Sequence, residues 1–190
     1  MSADMVETRL SLEDWTHAAD LDDLAIIALC EGPTIDLGCG PGRLTEALTR
    51  HGHLALGVDV TGEAVAHTLQ RGVAALRRDV FGPLPGEGRW HTALLADGNV
   101  GIGGNPVALL DRVRRLLDPR GHAVVEVAPP GTAMTTGPAS LHAGDLVTRT
   151  FDWTVVGVDQ IESLTRQAGL VTRAIHPIGC RFVAVVEVAA

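Results

Sequence analysis

The chain has 190 residues, of which 46% are hydrophobic, and a formal net charge of −8. A chain of this length buries roughly 70% of its unfolded surface on folding, which is enough for one core, so we expect a single domain over residues 1–190. The acidic balance argues against a nucleic-acid partner, for which a basic surface is expected. Small molecules are therefore the favoured partners, and the residues predict no oligomeric state.

The cysteines and the apolar segments indicate the cellular location of the protein. Cys30, Cys39 and Cys180 are too few and too scattered for a disulfide framework or a zinc cluster, which favours a reducing compartment. Residues 1–12 carry charges without an apolar core, so they predict no signal peptide, and no later apolar run approaches ~18 residues. We therefore expect a cytoplasmic protein with no membrane partner and no bound metal.

Apolar runs alternate with helical repeats after residue 33, which predicts an α/β fold: a single doubly wound, Rossmann-like sheet with helices on both faces and an antiparallel C-terminal strand. A leading helical segment within residues 1–32, about Leu12–Cys30, precedes this unit. The expected strands are Thr34–Leu37, a run ending at Asp59, Ala74–Arg77, a run beginning near His91, His122–Val127, Leu170–Ile175 and Arg181–Val188. The expected helices are Gly42–Arg50, Thr61–Arg71, Pro106–Leu117 and Asp159–Ala168.

Residues 128–157 interrupt this alternation after the fifth expected strand. Ala128–Gly144 is rich in Pro, Gly, Ser and Thr, which predicts a long mobile loop, and Asp145–Val156 predicts an extra strand or extended cover. Ligands of open α/β sheets bind at the carboxyl ends of the strands, where this segment begins. We therefore expect 128–157 to be an insertion that covers the substrate.

The segment Asp36-Leu37-Gly38-Cys39-Gly40-Pro41-Gly42 joins the first strand of the α/β unit to a helix. It differs from the dinucleotide fingerprint G-x-G-x-x-G, because Arg43 occupies the position of the third glycine. A carboxylate at the strand tip, Asp36, favours a cationic ligand over a pyrophosphate. Asp59 ends the next strand, where an acid is expected to accept hydrogen bonds from ribose hydroxyls.

On these residues the chain resembles the class I S-adenosylmethionine-dependent methyltransferases from about Thr34 to the C-terminus. The resemblance implies S-adenosylmethionine as methyl donor, with S-adenosylhomocysteine as product. It places Asp36 near the ammonium of the donor, Asp59 at its ribose and Asp79 near its adenine. The residues expected to bind the donor are Asp36, Gly38, Cys39, Gly40, Asp59, Val60, Asp79, Val80, Ala96 and Asp97.

Three side chains are weak candidates for catalysis, and each has a structural alternative. Asp97 ends the fourth strand and could touch the methionyl end or act as a base, or it forms an Asp-Gly turn. Glu126 lies in a buried run and needs a partner, which is either structural or an incoming polar substrate. His142 lies in the expected loop and is either a cover residue or a surface histidine.

Two further features bear on the acceptor of the methyl group. Gly101–Gly104 predicts a flexible loop beside the methyl group, and Trp153 is the best candidate for contacting a flat substrate, although core packing is its simpler role. The function favoured by the sequence is methyl transfer to a small molecule. The alternatives are other sulfonium chemistry or a noncatalytic partner role on the same donor site. An NAD-dependent oxidoreductase is disfavoured by the glycine spacing and by Asp36.

Overall fold

The computed structural model describes residues 8–11, 15–143, 146–147 and 150–189. The strands are β1 (Thr8–Ser11), β2 (Thr34–Leu37), β3 (Ala55–Asp59), β4 (Ala75–Arg77), β5 (Trp90–Leu95), β6 (Leu117–Val127), β7 (Thr135–Ala143), β8 (Leu146–Val147), β9 (Phe151–Val155), β10 (Leu170–Ile178) and β11 (Arg181–Val188). The α-helices are α1 (Leu21–Ile27), α2 (Arg43–Arg50), α3 (Gly62–Gln70), α4 (Pro106–Leu116) and α5 (Val158–Gln167). A 3₁₀ turn, Asn99–Gly101, follows β5.

Within the described residues, a seven-stranded sheet has the order β10-β11-β6-β5-β2-β3-β4. Strands β2 to β6 are parallel, β11 is antiparallel to β6, and β10 is antiparallel to β11. The predicted Rossmann-like sheet with an antiparallel C-terminal strand is confirmed. Strand order reverses at β2, so the carboxyl ends of β2 and β5 flank the crevice where ligands bind in such sheets.

Helices cover both faces of this sheet, which explains why its central strands β5 and β6 contain continuous apolar runs. Ala93 and Val125 belong to the core shared with α4 and α5, whereas their neighbours Leu94 and Val124 belong to the core shared with α1 and α2. A strand buried on both faces reads as a continuous apolar run. Each buried Leu or Val side chain stabilises the fold by roughly 1.5–3 kcal/mol relative to exposure.

A second sheet joins β1, β7, β8 and β9. Strand β7 runs parallel to β1 and antiparallel to β9. The expectation of a loop over Ala128–Gly144 is therefore wrong for Thr135–Ala143, because pairing along both edges holds a glycine- and proline-containing segment with low intrinsic strand propensity. The extra strand expected within Asp145–Val156 is present as β9. Residues 144, 145, 148 and 149 of the expected cover lie outside the described residues.

The leading segment is helical over a shorter range than the sequence predicts. Helix α1 begins after Asp20, whose Oδ1 accepts a hydrogen bond from the Asp23 amide at 2.8 Å, while Asp23 Oδ2 accepts from the Asp20 amide at 3.0 Å. This reciprocal cap fixes the start of the helix nine residues later than expected, at Leu21 instead of Leu12. Residues 1–7 and 12–14 of that segment lie outside the described range. No helix in the described part of the chain is long and apolar enough to span a membrane.

Candidate functional site

A cavity of about 760 Å³ lies at the carboxyl ends of the parallel strands, between that edge and the second sheet. The walls include residues from the ends of β2 to β5 and, on the opposite side, residues of β1, β7 and β9. Every residue predicted to bind the donor lines this cavity: Asp36, Gly38, Cys39, Gly40, Asp59, Val60, Asp79, Val80, Ala96 and Asp97. The structure therefore brings these residues together, and their role in donor binding stays a prediction.

The loop after β2 has a conformation that requires glycine. Gly38, Gly40 and Gly42 have φ angles of 77°, 51° and 84°, in the left-handed region that other residues rarely adopt. A Cβ on Gly38 would lie 2.8 Å from Nδ2 of Asn99. That amide nitrogen donates to the carbonyl oxygens of Leu37 and Gly38 at 3.0 and 2.9 Å. Asn99 thus ties the glycine loop to the turn after β5.

Asp59 stands beside this loop at the end of β3. Its Oδ2 accepts a hydrogen bond from the Gly40 amide at 3.0 Å, and its Oδ1 accepts one from the Thr61 amide at 2.7 Å. Both bonds fix the direction of the carboxylate. Each carboxylate oxygen can accept a further hydrogen bond, so the side chain is oriented and able to bind hydroxyl groups.

Asp36 is buried beneath the loop, at the end of β2. Burial raises its pKa from 3.8 to about 7, although Thr45 opposes the shift by donating a hydrogen bond to Oδ2 at 2.6 Å. The charges of Asp97 and Asp59 raise the pKa further, and Arg43 lowers it. A nearby cation favours the ionised carboxylate, so Asp36 is a group whose charge responds to the ligand.

Two arginines and three carboxylates form a buried ion network next to the cavity, with Arg43 and Asp97 in its wall. Arg43 pairs with Asp23 and donates to both oxygens of Asp97 at 2.9 and 2.7 Å. Arg181 donates to Asp23 at 2.6 Å, to both oxygens of Glu126 at 2.8 and 2.6 Å, and to Asp97 at 3.3 Å. The network joins α1, α2, β6, β11 and the end of β5.

Burial affects the acids of this network in different ways. It raises the pKa of Asp97, with Glu126 acting in the same direction and Arg43 and Arg181 against it. Burial also opposes ionisation of Asp23, but hydrogen bonds from Arg43 and Arg181 outweigh it, so the pKa of Asp23 is lowered. Sequence reasoning missed Asp23, Arg43 and Arg181, since nothing in the local sequence marks residues that meet across the fold.

The structure separates the three catalytic candidates. Asp97 lines the cavity at a φ angle of 51°, and its amide donates to Glu126 at 2.7 Å. Glu126 is held by Arg181, which favours the structural explanation for its burial, and it does not line the cavity. His142 is not part of the cavity wall, whereas its neighbour Leu141 is, because adjacent strand residues point to opposite faces. The His142 ring contacts Ser140 at 3.1 Å.

The segment Gly101–Gly104 packs closely against the second sheet, so the expectation of a flexible loop is wrong. A Cβ on Gly101 would collide with the carbonyl oxygen of Thr154, and one on Gly104 would lie 2.6 Å from Cβ of Asp152. Thr154 also donates through Oγ1 to the Gly104 carbonyl at 2.9 Å. These glycines are needed for contact between the two sheets.

In the described chain, no group of three or more His, Cys, Asp or Glu residues could hold a metal ion.

Comparison with known families identifies a domain within the chain. Residues 35–125, from β2 into β6, match a family model described as a methyltransferase domain. A search of curated protein sequences found no significant match.

Solved structures share the fold over most of the chain. A SAM-dependent methyltransferase from Bacteroides fragilis, in complex with S-adenosyl-L-homocysteine, matches with a TM-score of 0.77 and 18% identity over 94% of this chain and 81% of that chain. The 1,6-didemethyltoxoflavin-N1-methyltransferase of Burkholderia thailandensis, with bound 1,6-didemethyltoxoflavin and S-adenosylhomocysteine, gives 0.70 and 19% over 94% and 82%. The glycopeptide N-methyltransferase MtfA, complexed with (S)-adenosyl-L-methionine, gives 0.69 and 16% over 90% and 95%.

At such identities the structural similarities establish the fold, and the family model identifies the domain within it. The matched residues contain the glycine loop, the acid at the end of β3, and β5 with the Asp97 that follows it. Strands β10 and β11 complete the sheet beyond the matched segment. Residues 35–125 thus match a methyltransferase domain, and the chain as a whole shares the fold of S-adenosylmethionine-dependent methyltransferases.

Proposed function

We propose that this protein is an S-adenosylmethionine-dependent methyltransferase that methylates a small molecule in the cavity between its two sheets. The observation that carries the proposal is that one cavity joins all the predicted donor residues to an apolar wall from the second sheet. Its volume of about 760 Å³ falls within the range of small-molecule sites, roughly 300–1,000 Å³. The 1,6-didemethyltoxoflavin held by one structure of the same fold supports a small acceptor here.

The residues around the glycine loop fit the charge of the donor. Bound S-adenosylmethionine supplies an electrophilic methyl group on a positively charged sulfur. Asp36 and Asp97 line the adjoining wall, and opposite charges a few ångströms apart attract each other. Gly38 and Gly40 carry no Cβ, which lets a ligand approach the backbone closely.

The adenosine end of the donor would lie against the ends of β3 and β4. Asp59, already fixed by two backbone amides, would accept hydrogen bonds from the ribose hydroxyls. Asp79 and Val80 line the cavity further along this edge and would contact adenine. The Asp79 carboxylate accepts from the Phe81 amide at 2.9 Å, which fixes its direction at the cavity wall.

The chain contributes to the reaction mainly by orienting the reactants and excluding water. Asp97 Oδ1 accepts from Arg43 and Arg181, and Oδ2 accepts from Arg43, so the carboxylate is held as a fixed charge. No histidine occurs among the described residues that line the cavity. Orientation of bound reactants can by itself provide a large part of the rate increase.

The buried free thiols Cys30 and Cys39 support a reducing, cytoplasmic location.

Thermal unfolding in the presence of the donor and its product tests the proposal first. At a ligand concentration of 100 Kd, binding stabilises the fold by about 2.7 kcal/mol. For a chain of this size that corresponds to a rise in Tm of roughly 5–11 °C. If neither S-adenosylmethionine nor S-adenosylhomocysteine raises the Tm at saturating concentration, the donor site is wrongly assigned.

Product analysis then separates methyl transfer from the alternatives. The protein is incubated with S-adenosylmethionine labelled in the methyl group and with a library of small acceptors. Label in an acceptor, with one S-adenosylhomocysteine formed per methyl transferred, supports the proposal. Another product of the sulfonium would indicate different chemistry, and donor binding without turnover of any acceptor would favour a noncatalytic role.

A further inference from the structure

We infer that the methyl acceptor is a flat, uncharged aromatic molecule that lies against an aromatic wall contributed by the second sheet. The aromatic wall consists of Phe151 and Trp153, with Leu10 and Leu141 beside them. The inference rests on the proposed function and specifies the acceptor for the same cavity.

The strand register explains how the wall forms. Leu10 pairs with Leu141 across β1 and β7, and paired residues point to the same side of a sheet. Across β7 and β9, Ala139 is opposite Phe151 and Gly137 is opposite Trp153. Small residues therefore stand beside both aromatic rings, and the rings lie 6.2 Å apart between centroids at an interplanar angle of 71°.

Trp153 lies close to the place where the methyl group is expected. Its Cζ2 atom would be 3.6 Å from a Cβ on Gly98, the residue that follows Asp97 at the end of β5. A bridge between the backbones of Trp153 and Ile102 holds β9 against the turn that follows β5. Trp153 is 9% exposed, so a small part of its indole faces the cavity, and an acceptor that contacts this part lies next to the segment after β5 that carries Asp97.

A further aromatic ring, that of Phe81, borders the cavity from the segment that follows β4. Phe81 packs against Gly103, where a Cβ would lie 2.7 Å from Cε2 of the ring. The side chains of Phe81 and Phe151 are 41% and 36% exposed, which leaves part of each ring available to a ligand. Aromatic rings prefer offset-stacked or edge-to-face contact with other rings, so this lining suits a planar aromatic acceptor.

The charge distribution explains why the acceptor should be uncharged. Charged groups line the cavity along the edge of the parallel sheet: Asp36, Arg43, Asp59, Arg77, Arg78, Asp79 and Asp97. The described lining residues of the second sheet carry no charge. A charge buried against an apolar wall without a partner is costly. The wall therefore favours a neutral ring, while the charges remain near the donor.

Calorimetric titration with three related probes tests the inference, each in the presence of saturating S-adenosylhomocysteine. The probes are 2-naphthol, which is flat and neutral; decahydro-2-naphthol, which is similar in size but not flat; and 6-hydroxynaphthalene-2-sulfonate, which adds a charge. We expect 2-naphthol to bind at least about tenfold more tightly than the other two, the factor that ring contacts and the avoided charge burial can supply.

Matched variants locate the binding. Trp153→Leu and Phe151→Leu should each weaken 2-naphthol binding about tenfold and leave S-adenosylhomocysteine affinity within about twofold. Val147→Ala, an exposed change in the same sheet but outside the cavity wall, should alter neither. If Trp153→Leu fails to fold, the more exposed Phe151→Leu decides the question.

The outcomes separate this inference from the proposed function. Failure of S-adenosylhomocysteine to bind would overturn the proposed function. If it binds but 2-naphthol does not, or binds equally in the wall variants, the inference is wrong. Equal affinity for decahydro-2-naphthol would overturn the requirement for a flat ring, and equal affinity for the sulfonate would overturn the requirement for a neutral one.

Discussion

Replacing Arg181 by Gln removes a cation that three carboxylates share, one of them buried and two partly buried. The guanidinium contacts Asp23, Glu126 and Asp97 at distances between 2.6 and 3.3 Å. Loss of one partner from a buried ion pair costs roughly 3–5 kcal/mol, because the remaining charge is left uncompensated. The Arg181 side chain is 16% exposed, so we expect the lower end of that range, about 3 kcal/mol.

A loss of this size is readily measured and has an internal control. For a chain of 150–250 residues it corresponds to a fall in Tm of roughly 6–12 °C. Arg173→Gln is the matched control, since Arg173 is in the same strand pair and forms an ion pair with the exposed Glu187 at 2.6 Å. With exposed fractions of 55% and 43%, that pair should contribute less than about 1 kcal/mol.

Urea unfolding at several pH values provides the assay. The difference between the wild-type protein and Arg181→Gln should shrink as the pH falls, because protonation of Asp97 removes part of the uncompensated charge. The pKa of Asp97 is raised and that of Asp23 is lowered, so Asp97 is protonated at a higher pH than Asp23. A cost equal to that of the control, or one that is independent of pH, would refute the network as a stabilising element.

Three further predictions follow from the walls of the cavity. Asp59→Ala should weaken S-adenosylhomocysteine binding at least about tenfold by calorimetry, because hydrogen bonds to a charged group contribute roughly 1.5–3 kcal/mol each. Unchanged affinity would show that Asp59 does not bind the ribose. Affinity for S-adenosylmethionine should rise with pH between about 6 and 8, since the cation favours ionised Asp36, whose pKa is raised to about 7; Asp36→Asn should flatten this profile. Gly101→Ala should lower the Tm by several degrees through collision with Thr154, at a cost of roughly 1–3 kcal/mol. The control Gly62→Ala should not lower it, because the added Cβ meets only the flexible end of an arginine, and equal Tm values for the two variants would contradict the close packing of the sheets.

The parallel sheet, and the edge of it that carries the predicted donor-binding residues, were predictable because the sequence patterns that indicate them are local. Each strand is a short apolar run, and the acids Asp36 and Asp59 end two strands that a parallel sheet brings side by side. The glycine loop required no long-range information either. The buried position of Glu126 in the sequence indicated that it needs a partner, but not that the partner is Arg181, 55 residues further along.

The second sheet was not predictable in the same way. Gly137 and Pro138 lie in β7, and neither residue has a high propensity for strands. The strand exists because β1 and β9 pair with its two edges, and that pairing depends on segments far away in the sequence. The prediction of a flexible loop over Gly101–Gly104 was wrong for a related reason. Small residues permit mobility and close packing alike, and only the neighbouring strand decides between them.

The position of Arg181 has a consequence for synthesis on the ribosome. Arg181 follows Asp23 by 158 residues, which at about 5–20 residues per second corresponds to a delay of roughly 8–30 s. Strand β6 ends at Val127, 54 residues before Arg181, so for roughly 3–11 s of that delay the edge of β6 that later pairs with β11 is open, and an open apolar edge is a template for pairing with other chains. The nascent protein is therefore most exposed to aggregation at β6, until β11 inserts between β6 and β10.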